Sequence, residues 1–252
     1  MANDLGYTTL ATVIYKDPVT VSRAQGLQDN ITALASLLTN FKQGVTISYV
    51  NSNTLQVETG CIMINNKLRR NTTTSTVNWA STGGNGIAET SSTGYYIWAY
   101  ASGTTSTFEL AINQTSVSMT GNANARLIGW FWNDTGNNIE GCWWKDENER
   151  KHYKSRWLPV AALSAYTINH NLNTFDLTTI LYSNTTTGSP SDGTGMSIED
   201  WGLAGIYLGI VIKNYNLSQV VIETMNNFHA LPGSTAVEGL TSGTVKLIME
   251  TL

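Results

Sequence analysis

Hydrophobic residues recur along this chain with two periods, and the change from one to the other falls near Gly44. Residues 1–16 show no helical period and read as an extended arm. Asp17-Pro18 then supplies a helix start, because aspartate caps free backbone N–H groups and proline is preorganised for a first turn. Apolar side chains follow at Ala24, Leu27, Ile31, Leu34, Leu38 and Phe41, alternately three and four residues apart, which is a heptad seam. Gly44 is a natural stop, giving a helix over 17–43. A helix this short is marginal alone, so its stripe is buried either against the chain's own β segment or in a parallel bundle with identical copies. Isoleucine at one seam position and leucine at the other leave the number of copies open.

Beyond Gly44 the period becomes two. Val45-Thr-Ile47-Ser-Tyr49 and Leu55-Gln-Val57 alternate apolar and polar, and the short apolar run Cys61-Ile-Met-Ile64 ends in an Asn65-Asn66 turn. Longer apolar segments follow: Tyr95-Tyr-Ile-Trp-Ala-Tyr100, Thr107-Phe-Glu-Leu-Ala-Ile112, Ala125-Arg-Leu-Ile-Gly-Trp-Phe-Trp132 and Asn138-Ile-Glu-Gly-Cys-Trp-Trp144. The charged stretch 145–156 (KDENERKHYKSR) mixes signs and reads as a solvated linker. A second β segment starts after Trp157-Leu-Pro159, with Ala165-Tyr-Thr-Ile-Asn-His170, Leu177-Thr-Thr-Ile-Leu-Tyr182, 206–213, Val220-Val-Ile-Glu223 and 244–249; the Gly/Ser/Thr-rich 185–195 is a long loop. The expected fold is mainly β. An arm (1–16) and a coiled-coil helix (17–43) precede a β-sandwich domain with linker (44–157) and a C-terminal β domain (158–252), both antiparallel.

Composition sharpens this picture. Among 252 residues only 13% are charged, about half the usual share, and the net charge of -4 has no basic stripe to meet a nucleic acid duplex. Serine, threonine, asparagine and glycine take the place of charge, which suits turns and wet sheet faces. Cys61 and Cys142 both lie in apolar runs without CxxC spacing, so buried free thiols are the default, with a disulfide left open. The opening MANDLGYTTLATV lacks the basic and long apolar regions of a secretory signal. The most apolar window, 203–212 (LAGIYLGIVI), is too short for a membrane helix. Synthesis in a cytoplasm, without membrane insertion, is the expectation. The Asn-x-Ser/Thr sequons at Asn30, Asn71, Asn113, Asn133, Asn184 and Asn216 are what chance gives in so Asn- and Thr-rich a chain.

No constellation points to catalysis. His152, His170 and His229 are far apart and lack neighbouring ligands, so no metal site is expected. Glycoside cleavage needs two carboxylates about 5–9 Å apart. Asp146, Glu147 and Glu149, or Asp192, Glu199 and Asp200, are present, yet nothing marks a pair as held in a cleft. No GxSxG motif occurs, and Gly83-Gly-Asn-Gly86 lacks the Lys-Ser/Thr of a phosphate cradle. The expectation is no enzyme, no catalytic residue and no cofactor. Eight tryptophans are many, and Trp130 and Trp132 share a face by period two. They are candidates for stacking on a glycan, while core packing or burial between protomers explains them equally well.

Four segments together carry a resemblance. They are Asp17-Pro-Val-Thr20 leading through Asn30-Ile-Thr-Ala-Leu34, then 81–90 (STGGNGIAET) followed by Gly94-Tyr-Tyr-Ile-Trp98, then Asn124-Ala-Arg-Leu-Ile-Gly-Trp-Phe131, and Trp157-Leu-Pro-Val160 with Tyr166-Thr-Ile-Asn-His-Asn-Leu172. The chain resembles the tail-fibre-like and related appendage virion proteins of tailed bacteriophages. The resemblance implies a structural virion component, commonly a homotrimer through the seam Ala24, Leu27, Ile31, Leu34, Leu38 and Phe41. Its N-terminal region would meet other virion proteins and its β domains would face outward to a host surface glycan or receptor. Unlike long fibres, the chain has no shaft repeats or collagen-like triplets, which leaves open a head fibre, an adaptor or a lectin-like glycan-binding module.

Overall fold

The computed structural model describes residues 30, 41–78, 88–101, 105–114, 119, 124–184, 196–197, 210–224 and 242–252. The helix expected over 17–43 lies outside these residues, apart from Asn30 and Phe41, and so do Ala24, Leu27, Ile31, Leu34 and Leu38. Its expected end is corrected: Lys42 and Gln43 already belong to a strand, with Gly44 at a positive φ of 69°. The described chain is mainly β, in several antiparallel sheets.

In chain order the strands are β1 (Lys42–Gly44), β2 (Ile47–Asn51), β3 (Thr54–Val57), β4 (Gly60–Ile64), β5 (Lys67–Asn71) and β6 (Ser75–Val77). Next come β7 (Thr93–Tyr100), β8 (Glu109–Asn113), β9 (Arg126–Asn133), β10 (Ile139–Lys145), β11 (Lys151–Ser155) and β12 (Leu158–Ala161). The last are β13 (Ala165–Asn169), β14 (Leu177–Asn184), β15 (Met196–Ser197), β16 (Ile210–Tyr215), β17 (Gln219–Thr224) and β18 (Ser242–Thr251). A nine-stranded sheet runs in the order β15-β14-β18-β11-β10-β9-β7-β8, with β12 also on β18. Three-stranded sheets β1-β4-β5, β2-β3-β6 and β13-β17-β16 complete the set. The Asn65-Asn66 turn closes β4 and β5 with both φ angles positive (52° and 58°), a geometry asparagine tolerates better than most residues.

The long sheet has an apolar core on each face. On one, Val45, Ile47, Leu55, Ile62, Ile64 and Val77 of the N-terminal segments pack with Tyr95, Ile97, Ile128, Phe131 and Cys142. On the other, Trp130, Trp143, Tyr153, Val245, Leu247 and Met249 pack with Ile168, Val220 and Ile222. Neighbours such as Trp130 and Phe131, or Cys142 and Trp143, therefore go to opposite cores. Strands β9 and β10 are covered on both faces, which is why their sequences are nearly unbroken apolar runs rather than clean alternations. Burial of each large side chain there is worth roughly 2–3 kcal/mol. Cys61 and Cys142 are free thiols, Cys142 being buried.

Two expectations change at the middle of the chain. The stretch 145–156 is not a solvated linker: it is the end of β10, a tight turn and β11, and Tyr153 within it is fully buried. Nor does the boundary at 157/158 separate two sheets. Strand β18 pairs with β11 before that boundary and with β12 and β14 after it, and Lys42–Leu252 form one compact unit. No helix among the described residues is long and apolar enough to cross a membrane.

Candidate functional site

Polar side chains gather at both ends of β10, each time where a covering sheet meets the long one. At its C-terminal end, Asp146 shapes the turn into β11. Its Oδ1 accepts the amides of Asn148 (2.8 Å) and Arg150 (2.9 Å), the Asx-turn geometry short acidic side chains favour. Glu149, at φ 63°, accepts from Arg126 Nη2 and Lys145 Nζ, both at 2.6 Å. Asp146 Oδ2 faces Arg150 Nε at 3.0 Å and His152 Nε2 at 3.2 Å, while His152 Nδ1 lies 3.1 Å from Glu250 Oε1. The His152 ring stacks on Trp144. Burial would raise both carboxyls, but hydrogen bonds outweigh it and hold them below the usual range: from His152 and the Arg150 and Asn148 amides for Asp146, from Lys145 and Arg126 for Glu149. These carboxylates, considered above as an acid–base pair, are ionised and committed to cations; Glu147 points to solvent in the turn, and Asp192, Glu199 and Asp200 lie outside the described residues.

Lys42 belongs to this cluster and escaped sequence reasoning. It is 2% exposed, and its Nζ donates to the Lys145 carbonyl, tying β1 to β10. Burial, then the Arg126 charge, bring its pKa down to about 8, against the opposing pull of Glu149 and Asp146.

At the N-terminal end of β10 stands Glu140. The register between β10 and β9 slips between Ile139 and Gly141, so Glu140 is a bulge residue, aimed out of the ladder. It accepts the Asn169 amide of β13 at 3.1 Å. Burial pushes its carboxyl up to about 7, with the Asn169 amide opposing. Beneath it, Tyr153 lies over Gly141, where a Cβ would collide with the phenol. The Tyr153 hydroxyl is buried without a hydrogen-bond partner among the described residues, and its pKa is raised by burial and by the Glu140 and Cys142 charges. His170, fully buried, accepts the Leu172 amide on Nδ1 (3.2 Å), which assigns the neutral ring's proton to Nε2. A lone carboxylate inside the apolar run Ile139-Glu-Gly-Cys-Trp-Trp144 was the sequence signal for this site, and a lone lysine before Gly44 was the signal for the other.

No protein-family model matches the chain, and no curated protein is significantly similar to it. Its chemistry is therefore read from its own side chains. Among the described residues, no group of three or more His, Cys, Asp or Glu is arranged to hold a metal ion.

The tryptophan pair proposed for glycan stacking is divided by burial. Ring centroids of Trp130 and Trp132 lie 6.3 Å apart at 30°. Trp130 is 3% exposed, in the second core against Gly94, and has no face left for a ligand. Trp132 is half-buried beside that core, as is Tyr96, whose hydroxyl accepts from Asn171 Nδ2 at 2.9 Å. Phe41 of the expected seam is half-buried.

Proposed function

We propose that the chain is a non-enzymatic structural protein of a bacteriophage particle, a trimeric tail fibre or similar appendage attached through its N-terminal region and contributing to host attachment. The observation that carries this reading is where the resembling segments fall. Gly94-Tyr-Tyr-Ile-Trp98 lies in β7 and Arg126-Leu-Ile-Gly-Trp-Phe131 in β9, and these are antiparallel neighbours, Tyr95 opposite Phe131 and Ile97 opposite Gly129. Trp157-Leu-Pro-Val160 leads into β12, and Tyr166-Thr-Ile-Asn169 lies in β13. Among the described residues the likeness thus falls on β7, β9, β12 and β13; 17–29, 31–34 and 81–87 lie outside them. Light scattering of the full chain is expected to give a trimer, and labelled micrographs of particles are expected to place it on their surface. In the variant Ile31→Asp with Leu34→Asp, folded monomers that no longer join particles are expected. A monomeric wild-type chain would overturn the proposal.

A second reading, a lectin-like module, draws on Trp132 and Tyr96 with the Asn171 amide, an aromatic-and-amide set suited to a sugar face. Glycan-array binding lost in Trp132→Ala supports it, and silence of the folded wild type rejects it.

A further inference from the structure

Strand β18 joins the two halves of the long sheet, and its end meets the β10–β11 turn through one side chain, His152 of β11. His152 stands opposite Glu250, in the end pair of the β11–β18 ladder. Its two ring nitrogens face carboxylate oxygens on different elements. Nε2 lies 3.2 Å from Asp146 Oδ2 in the turn, and Nδ1 lies 3.1 Å from Glu250 Oε1 on β18. A neutral imidazole has a single N–H, and its other nitrogen can only accept. Ionised carboxylates also only accept, so both contacts are hydrogen bonds only while the ring carries two protons. The Trp144 indole lies along the ring, centroids 5.7 Å and planes 18° apart, and an indole face also favours a cation.

The two carboxylates are held differently. Asp146 is 13% exposed and, besides the imidazole, accepts the Asn148 and Arg150 amides and Arg150 Nε. Burial raises its carboxyl, but His152 and these donors outweigh it and keep the group ionised. Glu250 is 52% exposed, and among the described residues its carboxylate has no hydrogen bond other than that to His152. Of the neighbouring charges, Lys145 of β10 is turned to Glu149, and Lys154 lies two residues along the same face of β11. Thr178 of β14, opposite Glu250, is uncharged. Arg150 and Lys154 oppose a charge on the ring, and the two carboxylates in contact with it favour one.

We propose that His152 is a proton-dependent clip between the β10–β11 turn and the end of β18: with two protons it bridges Asp146 and Glu250, and with one it keeps Asp146 and releases Glu250. The proton leaves Nδ1, because Glu250 can turn to water whereas Asp146 is fixed by its other donors. The bare Nδ1 lone pair then faces a carboxylate and repels it. Both contacts favour the charged ring, so the bridge is present at low pH and is lost as pH rises and the ring gives up a proton. The clip belongs to the sheet and stands whether or not the chain is a virion protein.

Double-mutant cycles on the full chain, by denaturant unfolding at pH 5.5 and 8.5, test it across the range where histidine as a class changes charge. The cycle of His152→Ala with Glu250→Gln is expected to show a favourable coupling at pH 5.5, about two- to fivefold in the folding equilibrium, the size of an exposed ion pair. At pH 8.5 that coupling should vanish. The cycle of His152→Ala with Asp146→Asn should stay favourable at both, since Nε2–H goes on donating. A Glu250 coupling of the same size at both pH values overturns the clip, as does loss of the Asp146 coupling in its place. If a variant does not fold, nitrogen-15 shifts of the wild-type His152 ring decide, because they count its protons. Two protons at pH 5.5 and one, on Nε2, at pH 8.5 support the clip; one at pH 5.5, two at pH 8.5, or a remaining proton on Nδ1 rejects it.

Discussion

The two layers that cover the long sheet are joined to it at opposite ends of one strand, β10, and by opposite chemistry. On the N-terminal side the core is largely aliphatic, and Lys42 reaches across the seam to a β10 carbonyl inside a ring of committed ion pairs. On the C-terminal side the core is built on Trp130, Trp143 and Tyr153, and Glu140 reaches across to a β13 amide without forming an ion pair among the described residues, the nearby Arg156 bonding Asp134 instead. Aliphatic side chains bring no polar atoms into the core. Aromatic ones do, and the Trp143 Nε1 and Tyr153 hydroxyl are buried without hydrogen-bond partners among the described residues. An unpaired buried donor costs about 1–3 kcal/mol, so the aromatic side trades some of its larger apolar burial for polar strain. The contrast puts a titrating group at each seam, an ammonium at one and a carboxyl at the other.

The largest expected effects test whether the shared strands make one cooperative unit of both cores. Trp143→Ala should cost about 4 kcal/mol and Ile62→Ala about 3 kcal/mol, the ordinary price of a core cavity. Each should shift a single urea transition, seen alike by tryptophan fluorescence and far-ultraviolet dichroism, because β9 and β10 line both cores. Two separated transitions in either variant would mean that the cores unfold independently and that the long sheet is two sheets in series.

A smaller effect probes how tightly the aromatic side is packed. Gly141→Ala sets a methyl group against the Tyr153 phenol and should cost about 1–3 kcal/mol. Tyr153→Phe removes the unpartnered hydroxyl, the nearest of the colliding atoms, and leaves the ring Cζ at 2.6 Å from a Cβ at 141. It should therefore be nearly neutral alone and should restore part of the stability of Gly141→Ala, measured by the same denaturant midpoint. Equal costs with and without the hydroxyl would show that the ring carbons, not the hydroxyl, set the need for Gly141.

Most strand positions were legible from period two, and the Asn65-Asn66 turn from its residues. What escaped notice was whatever depended on partners distant in sequence. Strand β11 carries a single large apolar residue, Tyr153, between His152 and Lys154, so its local composition says solvent. Only pairing with β10 on one side and β18 on the other makes it central. The boundary at 157/158 failed for the same reason, since β18 returns from the end of the chain to join both halves. Trp130 and Trp132 share a face as period two requires, but alternation cannot say that the face is roofed over Trp130 and partly open at Trp132. Lys42 and Glu140 looked like isolated charges because their partners, a carbonyl at 145 and an amide at 169, are backbone groups that no motif records.

The smallest effect concerns Lys42 and sets the two seams directly against each other. Its folded pKa of about 8 lies below its ordinary 10.5, so between these limits the unfolded chain binds more protons and stability rises with pH. Below 8 the full cost of a buried ammonium is carried, offset by the bond to the Lys145 carbonyl. Lys42→Met removes both, so near pH 7 it should differ little from wild type. Between pH 8 and 10 the wild type should gain on the variant by on the order of 1 kcal/mol, well under the ceiling of about 1.4 kcal/mol per pH unit. Glu140→Gln gives the mirror image, the wild type losing ground between 4.5 and about 7. The joint contribution of the two residues is thus least favourable between about 7 and 8, where the lysine is still charged and the carboxylate has just become so. Difference curves of denaturant stability against pH should have opposite slopes in these windows. Slopes of the same sign would show that the two ends of β10 are not the opposed seams their geometry describes.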